Sequence, residues 1–148
     1  MVTLRPADES DSSNLWEWRN DAATRAASLD TRHVTWADHR RWLAASLRNS
    51  KRLILVATDE SQTKVGMVRF DFGHTKAAMV SITVAPEWRG RGVGRVLLRD
   101  AIELVRMNRL CEEFTAQVRA NNGPSISIFE GEGFVRVSAI GDVVTLRT

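Results

Sequence analysis

Residues 84–95, Val84-Ala85-Pro86-Glu87-Trp88-Arg89-Gly90-Arg91-Gly92-Val93-Gly94-Arg95, carry the densest chemistry in the sequence. An apolar run enters this stretch and an amphipathic pattern leaves it, so a strand runs into a glycine-rich loop that opens a helix. Glycine lets backbone amides approach a ligand with no Cβ in the way. The first amides of a helix have no internal partner, and the helix dipole favours an anion there. Together these features make a pyrophosphate site. Arg89, Arg91 and Arg95 can add charge, because the guanidinium fork matches phosphate geometry. The glycine spacing is not Gly-x-Gly-x-x-Gly, and no acidic residue sits on a following second strand, as a dinucleotide site requires. No Gly-Lys-Ser/Thr is present, which excludes a Walker loop.

A second set of residues could serve a substrate. Trp16, Trp18, Arg19 and Asn20, then Arg25, His39 with Trp42, and Arg69-Phe70-Asp71 stand out in the first half of the chain. Tryptophans at helical spacing also build cores. Arg69 and Asp71 share one face of their strand, since side chains repeat every two residues. His39, Asp71 and His74 are candidate proton acceptors, directly or through water.

The elements that must position these groups read as follows. A short strand at residues 2–5 ends at Pro6, and a helix carries Leu15, Trp16 and Trp18. Thr35 caps a second helix, with Asp38 at its third position. Trp36, Leu43 and Leu47 recur there at helical spacing. Residues 53–57, 65–72 and 79–84 form an antiparallel meander, with Gly73 and His74 in its second turn. The helix after Gly94 keeps Val96, Leu97, Ala101, Leu104 and Val105 on one apolar face. A strand at 114–118, a short helix at 125–130 and strands at 134–137 and 143–146 close the chain, with Gly141-Asp142 turning between the last two. This is an α+β pattern, a mixed sheet with helices packed on it.

Composition bounds the rest. At 148 residues the chain forms one domain, 1–148, and can bury a core without staples. One cysteine, Cys111, excludes a disulfide framework and a multi-cysteine metal site, and fits a reducing cytoplasm. No apolar run approaches the ~20 residues of a membrane helix. A net charge of +3, with scattered arginines, does not argue for nucleic acid. No metal site is expected.

Arg89-x-x-Gly92-x-Gly94, after a strand ending in Val84-Ala85-Pro86, resembles the acetyl-CoA signature of the Gcn5-related N-acetyltransferase (GNAT) family. Val118-Arg119-Ala120-Asn121-Asn122, followed by Ser125-Ile126, Phe129-Glu130 and Gly133-Phe134, matches a second family pattern. The order of elements agrees along essentially the whole chain. The resemblance implies a GNAT fold: a mostly antiparallel sheet of about seven strands, about four helices, and a V-shaped splay between strands 4 and 5. Acetyl-CoA would lie in that opening, its pantetheine arm on the backbone of Ile82 and Val84. Its pyrophosphate would sit on Gly90, Arg91, Gly92, Val93, Gly94 and Arg95, with Asn122 touching the arm. A primary amine would attack the thioester in a ternary complex, while an amide near Ile82 or Thr83 stabilises the oxyanion.

Two departures from the family pattern stand out. Many relatives carry a tyrosine acid where this chain has Phe129, and the chain has no tyrosine at all. Some carry a glutamate base where this chain has Gln117. A thiol is itself a modest acid, with a pKa of about 8.5, so water can protonate the leaving group. Ser125 and Ser127 are near enough in sequence to orient that water.

Trp18, Arg19, Asn20, Arg69 and Asp71, with His39 and Trp42, resemble the acceptor residues of pseudaminic-acid-pathway amino-sugar N-acetyltransferases. This implies a 4-amino nucleotide sugar as acceptor, with Asp71 or His39 touching the amine. A sugar amine needs less help to be neutral than a lysine amine. Ribosomal-protein N-terminal acetyltransferases are the alternative, and a CoA-binding sensor without turnover is an alternative of another class. A homodimer is also expected.

Overall fold

The structure, a computed structural model, describes residues 2–73 and 75–148; His74 lies outside them. Strand β1 (Thr3–Pro6) leads through a 3-10 turn at Glu9–Asp11 into helix α1 (Ser12–Asn20). Helices α2 (Ala22–Ala27) and α3 (Trp36–Arg48) follow. Strands β2 (Arg52–Thr58), β3 (Lys64–Phe72) and β4 (Ala77–Val84) make the expected meander. A second 3-10 turn, Pro86–Trp88, precedes helix α4 (Val93–Met107). Strand β5 (Glu113–Arg119), helix α5 (Gly123–Gly131) and strands β6 (Val135–Ile140) and β7 (Val143–Arg147) complete the chain.

Helix α2 is the element that the sequence does not announce. Its six residues, Ala-Ala-Thr-Arg-Ala-Ala, have no apolar period, and none of them is buried. Its N-terminus is set instead by Asp21, whose side chain accepts from the Thr24 amide.

The strands form one sheet in the order β1-β2-β3-β4-β5-β7-β6. All neighbours are antiparallel except β4 and β5. Those two touch only through Ala77↔Glu113, Ala78↔Phe114 and Met79↔Thr115. Beyond this vertex they part, as expected between strands 4 and 5.

Each face of the sheet has its own core. On one face α4 and α5 cover Leu55, Val68, Phe70, Val80, Phe114, Ala116 and Leu146. On the other face Ile54 and Val56 pack with Leu15, Trp18, Leu43 and Ala85. The alternation along each strand produces this division. Helix α4 turns Leu97, Leu98, Ala101, Ile102 and Val105 inward. Val96, expected on that face, is instead partly exposed, because the buried stripe follows residues 94, 97, 98, 101, 102 and 105. The same correction applies to α3. Leu43 is buried there, but its companions are His39 and Ser46, while Trp36 and Leu47 are more than a third exposed.

Asp11 anchors the start of α1. It is fully buried and bonds Arg5 through both oxygens at 2.8 Å, Lys64 at 2.8 Å and the Asp8 amide at 2.9 Å. Burial opposes its charge, but the bonds from Arg5 and Lys64 outweigh that penalty and hold its carboxyl well below the usual range. No helix among the described residues is long and apolar enough to cross a membrane, and none of their side-chain groups forms a metal cluster.

Candidate active site

The open arm of β4 presents unpaired backbone to the cleft. The Ala85 amide bonds the Val65 carbonyl at 2.9 Å. By the two-residue alternation of an antiparallel ladder, Thr83 and Ser81 therefore face β3. Ile82 and Val84 direct their N–H and C=O groups the other way, toward β5. On β5, Phe114 and Ala120 bond the β7 side. Thr115, Gln117 and Arg119 therefore line the opposite wall. Five residues of strand, about 17 Å, separate the vertex at Met79 from Val84.

The glycine loop closes the wide end of this cleft. Gly92 is the N-cap of α4, with φ 76° and no side-chain cap on the helix. A non-glycine residue would be strained there. A Cβ at Gly92 would meet nothing within 4 Å, so the space above the first amides is open. Those amides, from Val93 onward, have no side-chain partner and face an anion site at a helix N-terminus. Gly94 has a different reason to be glycine. A Cβ there would lie 2.7 Å from the Ile128 side chain, so its absence lets α4 pack against α5.

The three loop arginines have separate partners. Arg91 stacks on the Trp88 ring at 4.9 Å. Arg95 turns away from the loop and bonds Glu132 at 3.1 Å, where Arg99 also binds at 2.8 Å. The two arginines, Arg99 foremost, hold the Glu132 carboxyl below its ordinary range. The expectation that the Arg95 side chain serves the anion is thus corrected: Glu132 takes it, and only its backbone stays at the site. Arg89 bonds Asp21 and the Thr24 hydroxyl, each at 2.7 Å. Asn122 caps α5, its side chain accepting from the Ser125 amide at 3.3 Å.

On the α1/α3 face a polar cluster sits beside the vertex. Asp71 accepts from Arg52 at 2.6 Å through one oxygen and from Arg69 at 3.0 Å through the other. Arg52 also donates to the Ser46 hydroxyl at 3.0 Å. Both guanidiniums lie over the Trp42 ring, at 5.8 and 5.9 Å. Two cations share one carboxylate, so the cluster carries a net positive charge. The register places Asp71 across from Met79, which itself pairs with Thr115 at the vertex. Arg52 and Ser46 were not foreseen. Arg52 opens a strand next to Lys51, where a basic residue reads as a solvated turn.

His39 is 3% exposed, and its ring lies 5.4 Å from that of Trp42. Its Nδ1 has no hydrogen-bond partner, and neither has Arg19 Nη1, also buried. Burial, and then the Arg19 charge, push His39 below its ordinary pKa, so the ring is neutral. Phe129 is buried against Phe134, 5.0 Å between ring centres.

Three expected acceptor contacts fall elsewhere. Trp18 is 4% exposed in the second core and offers no ring face to a ligand. Asn20 spends both amide atoms on the Val34 backbone, at 2.7 and 2.8 Å. Arg19 donates to the Asp30 carbonyl at 2.9 Å. Arg19 and Asn20 hold the backbone of residues 28–34, and Trp18 packs in the second core.

The sequence profile of the acetyltransferase (GNAT) domain matches residues 1–135. YwnH of Bacillus subtilis (strain 168), whose name assigns it provisionally to phosphinothricin acetylation, is 31% identical over 90% of this chain and 83% of its own. A ribosomal-protein-alanine N-acetyltransferase from Brucella melitensis superimposes with a TM-score of 0.83 at 27% identity, covering 99% of this chain and 98% of that one. The spermidine N-acetyltransferase of Vibrio cholerae, solved with CoA and spermine, gives a TM-score of 0.90 at 18% identity, covering 99% and 94%.

Proposed function

This chain belongs to the GNAT acetyltransferases and is an acetyl-CoA-dependent N-acetyltransferase; from that premise we propose that its acceptor is a small primary amine carrying an anionic group. The observation that carries this reading is the Arg52–Asp71–Arg69 cluster, which holds one positive charge in excess beside the vertex of the cleft. The thioester would lie along Ile82 and Val84, and the pyrophosphate on the amides from Gly90 to Arg95. Ile82, whose amide faces the cleft, would supply the oxyanion donor, since the amide of Thr83 is spent on β3. Arg91 would add charge at the phosphates while Arg89 stays on Asp21 and Thr24, and Asn122 would touch the arm.

The protein's main contribution is to hold amine and thioester together. Attack forms the amide bond and breaks the thioester. The amine loses a proton, and the CoA thiolate gains one from water. Water would take the first proton, since burial and the Arg19 charge disfavour a protonated His39. Asp71, with each oxygen held by an arginine, orients the pair that binds the acceptor's anion.

Two acceptors fit this description. A 4-amino nucleotide sugar keeps Arg69 and Asp71 of its expected contacts and loses Trp18, Arg19 and Asn20. An amino-acid amine such as phosphinothricin is favoured by the name of the Bacillus relative. Thiol release from acetyl-CoA tests the reading with a 4-amino UDP-sugar, phosphinothricin, spermidine and an alanine-initiated peptide. The anionic amines should lead by about tenfold or more in kcat/KM, the worth of one charged hydrogen bond. Highest turnover with spermidine would overturn it, and the order of the first two acceptors decides between them. The reading includes a homodimer through edge strand β6, whose Val135, Val137 and Ile140 are exposed. A monomer by light scattering removes that part.

A further inference from the structure

Arg119 stands at the end of β5 on the acceptor side of the sheet, and its contacts are unusual in reach. Its Nε donates to the Ser28 carbonyl at 2.6 Å and its Nη2 to the Leu29 carbonyl at 3.1 Å. Its Nη1 pairs with Asp142 in the turn between β6 and β7. Ser28 is the C-cap of α2, where unpaired carbonyls and the negative end of the helix dipole favour a cation. The opposite end of α2 is tied to the other arm of the cleft. Arg89, in the loop that follows β4, bonds Asp21 and Thr24 in the first turn of α2. Arg89 holds the Asp21 carboxyl below its ordinary range.

One short helix is therefore pinned to both arms of the V at its open end. Nothing in α2 is fully buried, so packing alone does not hold it there. The segment beyond it, residues 28–34, is fixed in the same manner. Arg19 holds the Asp30 carbonyl, Arg25 that of Thr31, and Trp16 and Asn20 that of Val34. Side chains anchor this segment carbonyl by carbonyl, without any strand or helix.

We propose that Arg119 is a positioning residue for the acceptor: by clamping the C-terminal end of α2 to β5, it sets the entrance through which the amine reaches the thioester. This rests on the reading of the V as the acetyl-CoA cleft, and it assigns no contact between Arg119 and either substrate. Loss of the clamp frees α2 and residues 28–34 at one end while the glycine loop keeps its shape. Acceptor binding suffers, and acetyl-CoA binding does not.

Two variants and three measurements test it. Arg119→Ala should raise the acceptor KM by about tenfold or more, the scale of one lost charge-assisted bond, and change kcat little. The acceptor is the faster of phosphinothricin and the 4-amino UDP-sugar. The acetyl-CoA Kd should stay within about twofold by calorimetry. Amide hydrogen exchange across Ala22–Ala27 and residues 28–34 should accelerate, with or without turnover of any acceptor. Arg119→Lys keeps one cation for the same carbonyls and should recover part of the KM effect. An unchanged KM, an equal loss of acetyl-CoA affinity, or unchanged exchange over α2 overturns the proposal. If neither acceptor turns over, the acceptor reading fails while exchange and the acetyl-CoA Kd still decide the role of Arg119. If Arg119→Ala does not fold, Arg119→Lys carries the same measurements, and wild-type exchange and KM in that variant overturn the proposal.

Discussion

Single residues in this protein show how charge is kept inside it. His39 and Arg19 lie close enough for the arginine to disfavour a second positive charge on the ring. The folded pKa of His39 is lowered, so near pH 6 the unfolded chain holds more protons at this site than the folded one. Its contribution to stability is therefore present above the unfolded value of about 6.5 and lost as pH falls toward the folded one. The melting temperature should rise between pH 5 and pH 7, and His39→Gln should flatten part of that rise. An unaltered profile in the variant would assign the dependence elsewhere. Asp11 is the opposite case, a buried carboxylate satisfied by Arg5, Lys64 and a backbone amide. Asp11→Asn should cost about 3 kcal/mol by urea unfolding, the low end for a broken buried pair, because Arg5 and Lys64 keep contact with water. These roles differ in how far the sequence declares them. Asp11 falls in a polar run, and one of the cations that satisfies it, Lys64, is distant in sequence. Trp18-Arg19-Asn20 looked like substrate chemistry because aromatic, cation and amide stand together. The chain spends all three on its own core and on the backbone of residues 28–34.

At the scale of elements, the clearest link between sequence and geometry is the loop between β4 and α4. Alternating glycines announce positive φ and open amides, and Gly92 has both. Gly92→Ala and Gly92→Glu place the same strain on the backbone, about 1–2 kcal/mol. Each should lower the melting temperature by about 2–8 °C for a chain of this size. Only the glutamate adds bulk and negative charge over the first amides of α4. Acetyl-CoA affinity should therefore survive in the alanine variant and collapse in the glutamate variant. Equal affinities by calorimetry would remove the pyrophosphate from this loop. The buried stripes of α3 and α4 were legible as helical but misplaced by a residue or two. A period of 3.6 tolerates several neighbouring stripes, and only the sheet beneath selects one. Helix α2 was not legible at all, since it has no apolar period and, beyond its Asp21 cap, is held by arginines far away in the chain.

The whole molecule is a sheet held open along one seam. The meander, the glycine loop before α4 and the closing strands were readable from local pattern. The width of the seam was not, because it depends on which pairs β4 and β5 fail to make. Only three residue pairs join them. In the free protein the amides of Ile82 and Val84 should exchange faster than those of Ser81 and Thr83, which bond β3. Saturating acetyl-CoA should slow the first pair by about tenfold or more and leave the second pair nearly unchanged. Uniform slowing of all four would argue against an arm laid along β4. The tryptophans divide the molecule along the same line. All five lie in α1, in α3 or in the 3-10 turn before the glycine loop, and the chain has no tyrosine. The half built from α4, α5 and β5–β7, whose aromatic rings are Phe114, Phe129 and Phe134, therefore gives no tryptophan or tyrosine emission. Emission reports the acceptor side alone, with Trp88, under Arg91, as its reporter nearest the cofactor loop.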